Sequence, residues 1–187
     1  MDPLACAAAL RRLDAGDLGG IAAHLLDLDM VSRNRRFHCG FGDAAITAYV
    51  DGLDVSTDIL FGAIDPQSDR IVGLVEARAT PAQHTVDLGV SVLPAHRGQG
   101  LGRKLVAQAA ETAFAEGNAA VDLRFDPTNL PASRIVAGLG ARIRMPGHAV
   151  LYAACKISAH ATVDKQSFVG AASPDHLGRT PNREECQ

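Results

Sequence analysis

Several classes of protein are excluded by what this chain lacks. No apolar run in its 187 residues is long enough to cross a bilayer. The one apolar run near the N-terminus, Leu4 to Leu10, follows Asp2 and precedes Arg11 and Arg12, the wrong charge order for a secretory leader. The four cysteines, Cys6, Cys39, Cys155 and Cys186, form no C-x-x-C pair, which argues against a disulfide framework and a zinc site. Ordinary thiols in a reducing, cytoplasmic setting are expected. His84 and His96 have no second ligand at metal-binding spacing, so no metal is expected. Positive charge is also in short supply: 18 Lys and Arg face 21 Asp and Glu, giving a net charge of -3. That leaves no basic field to release counterions from nucleic acid. Neither nucleic acid nor a membrane is an expected partner. No internal repeat is present, and the preference for arginine over lysine, with abundant alanine, fits a GC-rich bacterial genome.

What is present suffices for one core, since 47% of the residues are hydrophobic. Ala5 to Leu13 reads as a first strand. Asp17 to Leu28 sets Leu18, Ile21, Ala22, Leu25 and Leu28 at helical spacing, with Asp14 or Asp17 as N-cap. Ser32 to Phe41 is basic and aromatic, after which Asp43 caps a short helix through Ile46, Tyr49 and Val50. Asp58 to Ile64, Ile71 to Ala79 and Val86 to Val92 read as three antiparallel strands joined by short turns. A helix with Leu101, Leu105, Val106, Ala109 and Ala113 on one face closes at Gly117-Asn118. A strand at Ala119 to Phe125, a helix at Asn129 to Leu139 and a strand pair, Ala141 to Arg144 and Ala149 to Lys156, complete the pattern. The domain is expected to occupy residues 1–157. Residues 158–187 are polar and lack apolar periodicity, so a disordered tail is expected there.

The stretch with the most chemical content is Arg97-Gly98-Gln99-Gly100-Leu101-Gly102, between an alternating strand and a helix. Consecutive backbone N–H groups at a helix start, with the positive end of the dipole behind them, bind phosphate. Glycine at positions 98, 100 and 102 allows torsions denied to other residues and leaves no side chain to hold a diphosphate away. A Walker A loop does not fit, because no Gly-Lys followed by a hydroxyl occurs there. The G-x-G-x-x-G dinucleotide fingerprint fails as well, with Arg103 in place of its third glycine.

The segment instead resembles the R/Q-x-x-G-x-G/A pyrophosphate loop of the GNAT acyltransferases. The resemblance runs from about Leu10 to Lys156 and is most specific between Val86 and Leu105. It implies a mixed α/β fold in which a mostly antiparallel sheet of six or seven strands is flanked by helices and splayed between strands four and five. It also implies acetyl-CoA as cosubstrate, an amine as acceptor, and leaves a homodimer open. Carried over to this sequence, the cofactor-binding residues are Val90, Ser91 and Val92 on strand four, then Arg97, Gly98, Gln99, Gly100, Leu101, Gly102 and Arg103, and Asn129 after strand five. Val136 stands where many members have a tyrosine as general acid, and Ala141 replaces a common phenylalanine, so another group or a water must protonate the leaving thiolate.

Acyl transfer to an amine requires the amine neutral, so a carboxylate near the thioester would serve as base. Asp87, where the family often has Glu, is the first candidate as base or water-holding group; Glu76 is the second. An amide of Val90 or Val92 would meet the oxyanion. Arg103 and Lys104, cations at a helix N-terminus, would be favoured there by phosphate. Cys39 and Cys155 have no base at a fixed spacing that would mark a nucleophile, so direct transfer is preferred. The expected acceptor is a protein lysine, as in one bacterial branch of the family; a small-molecule amine is the alternative, and a non-catalytic acyl-CoA sensor is a reading of a different class.

Overall fold

A computed structural model describes residues 8–145 and 147–152. The proposed tail, residues 158–187, lies outside them, as do residues 5–7 of the expected first strand and residues 153–156 of the last. Seven strands form one sheet in the order β1-β2-β3-β4-β5-β7-β6. β1 (Ala9–Arg12), β2 (Ile59–Ile64), β3 (Ile71–Ala79) and β4 (Thr85–Val92) are mutually antiparallel neighbours. β5 (Ala120–Arg124) runs parallel to β4, and β6 (Arg142–Met145) and β7 (His148–Tyr152) extend the sheet beyond it. A parallel pair needs a crossover, and α4 (Leu101–Ala115) supplies it.

The alternation in β2 explains the layers. All six of its residues are buried. Ile59, Phe61 and Ala63 pack on the side of α4, with Leu105, Val106 and Ala109, while Leu60 and Ile64 pack on the other side. There they meet α1 (Leu18–Leu26) and α3 (Asp43–Asp51) through Ile21, Leu25, Ile46 and Val50. A strand covered on both faces reads as a continuous apolar run. α5 (Leu130–Gly138) packs beside α4, on the α4 side.

Local chemistry sets the helix ends. Asp14 caps a 3-10 turn, Ala15–Asp17, in a reciprocal capping box with Asp17, and α1 follows directly. Gly42, and not Asp43, is the N-cap of α3; Asp43 lies in the first turn, where its charge still complements the dipole. The basic stretch contains a helix that the apolar pattern does not show, α2 (Met30–Phe37), capped by Asp29, whose carboxylate accepts from the Ser32 N–H. Arg33 anchors it through the Leu28 carbonyl and Asp43.

One buried polar residue ties α1 to the sheet. His24 is 1% exposed; its Nδ1 lies 2.9 Å from the Ile71 carbonyl and its Nε2 2.8 Å from Ser91 Oγ. A carbonyl only accepts, so Nδ1 carries the proton and Nε2 accepts from the Ser91 hydroxyl. Burial, the largest influence, lowers the His24 pKa from 6.5 to about 4, against the opposing effect of the Ile71 carbonyl. The unfolded chain therefore takes up this proton first as pH falls. The penalty is absent above pH 6.5 and grows down to pH 4, reaching about 3 kcal/mol. Urea unfolding at several pH values will show wild type losing stability more steeply over that window than His24→Gln; parallel curves would contradict the assignment.

Candidate active site

The site begins where β4 and β5 part. Their register ends at Leu88↔Leu123, whereas β4 stays paired with β3 through Val92↔Gly73. The Leu93 N–H donates to the Val72 carbonyl and the Thr85 carbonyl accepts from Thr80, so odd-numbered residues of β4 turn their backbone groups toward β3. Even-numbered residues turn theirs the other way. Val90 and Val92 therefore direct their N–H groups into a gap where β5 no longer offers a partner. The Val92 carbonyl accepts from Arg97 Nε at 2.9 Å. Ser91 is different, since its backbone faces β3 and its hydroxyl is bonded to His24.

After β4, a 3-10 turn (Pro94–His96) leads into the glycine loop and α4. Gly98 and Gly100 both have φ of +77°, and a Cβ at either would meet nothing within 4 Å. Torsion, with open space in front, is what these two positions require. Gly102 has another role: a Cβ there would lie 3.1 Å from Ile135 Cδ1, so the missing side chain lets α5 close on α4. No side chain caps the start of α4, and its first-turn N–H groups open on the same side as the exposed Gly98, Gln99 and Gly100. Leu101 is buried and anchors the turn.

The neighbouring cations are partly engaged within the protein. Arg97 also donates to Ser32 Oγ, at 2.8 Å, tying the loop to α2. Arg103 donates to the Gly138 carbonyl at 3.2 Å, at the C-terminal end of α5, where a cation is favoured by the helix dipole. Lys104 is exposed. Asn129 is the N-cap of α5, its side chain accepting from the Ala132 N–H at 3.3 Å. Val136 is 2% exposed, inside α5, and offers no proton.

The two candidate carboxylates share the sheet face that meets α2. The pairs Glu76↔Gly89, Arg78↔Asp87 and Asp87↔Asp122 place them there together. Glu76 is buried and its Oε1 lies 2.8 Å from Arg36 of α2. The Arg36 guanidinium covers Gly89, since a Cβ at that glycine would fall 2.2 Å from Cζ. Tyr49 Oη accepts from Arg36, which also lies 4.9 Å from the centre of the Phe37 ring. Asp87 is less enclosed, with Arg124 at 3.3 Å from Oδ2, while its Oδ1 is buried without a hydrogen-bond partner among the described residues. Arg36, Gly89 and α2 were missed from sequence; a glycine within an alternating strand was the available sign of a close approach.

Between α2 and the turn after β5 lies a cavity of about 330 Å³, lined by Val31, Asn34, Arg35, His38 and Asp126. His38 ends α2 with φ of +59°, in the left-handed region. Burial on one side pulls its pKa below 6.5, helped by Arg124 and opposed by Asp87, with smaller effects of Arg36 and Asp126.

The sequence model of the acetyltransferase (GNAT) family matches residues 33–140, more than half of the chain. No curated protein matches the sequence. Among solved structures, the GNAT domain of PAT from S. lividans is 16% identical with a TM-score of 0.62, over 76% of this chain and 88% of that one. YncA from Salmonella typhimurium, described as a putative acetyltransferase with its cofactor acetyl-CoA, is 19% identical with a TM-score of 0.60, over 85% of this chain and 99% of that one. Spermidine N-acetyltransferase from Vibrio cholerae, in complex with CoA and spermine, is 18% identical with a TM-score of 0.61, over 79% and 96% of the two chains. At these identities the likeness establishes a common fold.

The Arg36–Glu76 pair predicts a specific double-mutant cycle. Arg36→Met leaves a buried carboxylate without its partner and should cost about 3–5 kcal/mol. Adding Glu76→Leu should return much of that loss, so the two changes will be far from additive in denaturant unfolding. Additive losses would show that the two charges do not depend on each other.

Proposed function

The chain belongs to the GNAT family of acetyltransferases, and on that premise we propose that it moves an acetyl group from acetyl-CoA to an amine by direct transfer at the β4–β5 opening. The observation that carries this reading is the set of strand amides released where β5 leaves β4 at Leu88↔Leu123, next to the glycine loop. The residues fit the cosubstrate. Gly98 and Gly100, with their positive φ and open surroundings, and the uncapped start of α4 form a cradle for a diphosphate. Gln99, Leu101 and Gly102 keep the cradle in shape, and Arg97 fixes it to the end of β4. Arg103 and Asn129 assist from the α5 side, with Lys104 as the freer cation. Acetyl-CoA supplies the activated acyl group as a thioester.

Val90 and Val92 offer N–H groups to an oxyanion from a strand held in place by β3, and such preorganised donors stabilise developing charge. Ser91 supports them from the opposite face through His24. Asp87 is the carboxylate that serves the amine, and its buried, unpartnered Oδ1 suits it to hold a water or the incoming ammonium. Glu76 is the weaker candidate, because Arg36 already neutralises it. The acceptor is proposed to be a protein lysine. A small-molecule amine is the second reading, favoured by the acidic groups Asp87, Asp122 and Asp126 around the opening and by the fold shared with a spermidine acetyltransferase.

Two experiments test this. Gly100→Val places a β-branched residue at φ of +77°, which is strained, and puts a side chain where the diphosphate would lie. Acetyl-CoA affinity should fall well over tenfold, since backbone hydrogen bonds to a charged group contribute about 1.5–3 kcal/mol each, while ligand-free stability falls much less. Wild-type affinity in this variant would remove the loop from the ligand site. Asp87→Asn should leave acetyl-CoA affinity nearly unchanged and lower amine-dependent CoA release by about 10²–10⁴-fold. An unaltered rate would show that Asp87 takes no part.

A further inference from the structure

Resting on the acetyltransferase reading, we propose that the cavity between α2 and the turn after β5 receives the acceptor amine and that His38 accepts its proton. Four observations meet at this residue. His38 lines an open cleft of about 330 Å³ together with Asn34, Arg35 and Asp126, with Val31, Asn34, Arg35 and His38 itself exposed along it. It has no hydrogen-bond or ion-pair partner among the described residues, whereas Asp87 is paired with Arg124 and Glu76 with Arg36. A proton placed on either carboxylate would leave an arginine uncompensated; a proton on His38 breaks no contact.

Backbone geometry is the third observation. Of the non-glycine residues at positive φ, Asp69 and His84 lie in turns between antiparallel strands, and His38 instead ends a helix at the cavity. That C-terminal position ordinarily favours glycine or asparagine, and the left-handed turn of His38 aims its ring at the end of the helix. The fourth is charge. The charged groups that act on the ring are Arg124 of β5, Asp87 of β4, Arg36 of α2 and Asp126 after β5, and Arg35 of α2 lines the same cleft. Partial burial keeps the imidazole neutral near pH 7, the state that accepts a proton, and Asp87 and Asp126 compensate the imidazolium once formed.

The acceptor ammonium gives one proton to a His38 ring nitrogen, and the freed lone pair forms the N–C bond to the acyl carbon. The C–S bond breaks with its electron pair remaining on sulfur, which takes the second proton from the attacking nitrogen. His38, exposed at the cavity, returns its proton to solvent. Asp87 orders the amine or its water and stabilises the charge on His38.

The test is a pH–rate profile of the full chain and of His38→Asn, which tolerates the left-handed torsion, with a blocked lysine peptide and spermidine as acceptors and CoA release as the readout. Melting and acetyl-CoA affinity establish that the variant is folded. Wild type should have an acid limb whose midpoint matches the His38 ring titration read by NMR, below the ordinary histidine value. His38→Asn should lose that limb and about 100-fold in rate at pH 7, with partial rescue by added imidazole. His38→Gln, if the asparagine variant does not fold, should behave alike. A variant within threefold of wild type with the same limb, or a limb that does not match the His38 titration, overturns the assignment to His38 alone. A wild-type chain that releases no CoA with either amine, and melts no higher with acetyl-CoA, overturns the acetyltransferase reading and this proposal with it.

Discussion

The separation of β4 from β5 after Leu88 is the constraint on which the rest of the molecule depends. A sheet ordinarily satisfies every backbone group of an interior strand, and this one stops doing so in mid-strand while β3 continues to pair on the other side. The result is an interior strand with an exposed edge, facing inward. Beyond Leu88, β3 still holds one edge of β4 and the α4 core still covers one face, where Val90 and Val92 pack against the cluster that contains Leu105 and Val106. His24 holds the other face through Ser91. The released amides and the first turn of α4 then lie at the same end of one strand, the arrangement on which the proposed diphosphate cradle and oxyanion site both rest.

The opposite face of the same strand carries the charge. Gly89 has no side chain, and Arg36 fills the space, meeting Glu76 below and the Phe37 and Tyr49 rings beside it. Burying that pair adds little to stability by comparison with an apolar core, because desolvation offsets most of the attraction. Its consequence is positional: α2 is held against β4 at Gly89, and His38 at its end lines a cleft with Asp126. The helix is joined to the rest of the chain by Arg36 to Glu76, by Phe37 packed on the core and by Arg97 to Ser32.

Most of the sheet was legible in the sequence, because β2 and β3 are continuous apolar runs, β4 alternates, short polar turns separate them, and α4 repeats its apolar residues at helical spacing. The glycine loop was legible for the same local reason. Helix α2 was not: its Arg33, Arg35 and Arg36 obscure any apolar face, and what fixes it is capping by Asp29 and distant ion pairs. Gly102 shows the limit of motif reading, since its bare face serves the α4–α5 contact with Ile135 and its φ is not left-handed. Likewise Glu76, which alternation alone presents as a possible exposed strand residue, is buried because a residue 40 positions away in sequence supplies its counter-charge. Local patterns encode elements; the site was decided by pairs that sequence spacing does not reveal.

Amide hydrogen exchange at Val90 and Val92, followed by NMR with and without acetyl-CoA, tests the central claim most directly. Without ligand these two amides should exchange much faster than that of Leu88, which still has a β5 neighbour, and saturating acetyl-CoA should slow both. If they are already protected in the free protein, or if acetyl-CoA binds and leaves their exchange unchanged, the opening between β4 and β5 is not where the acyl donor is held.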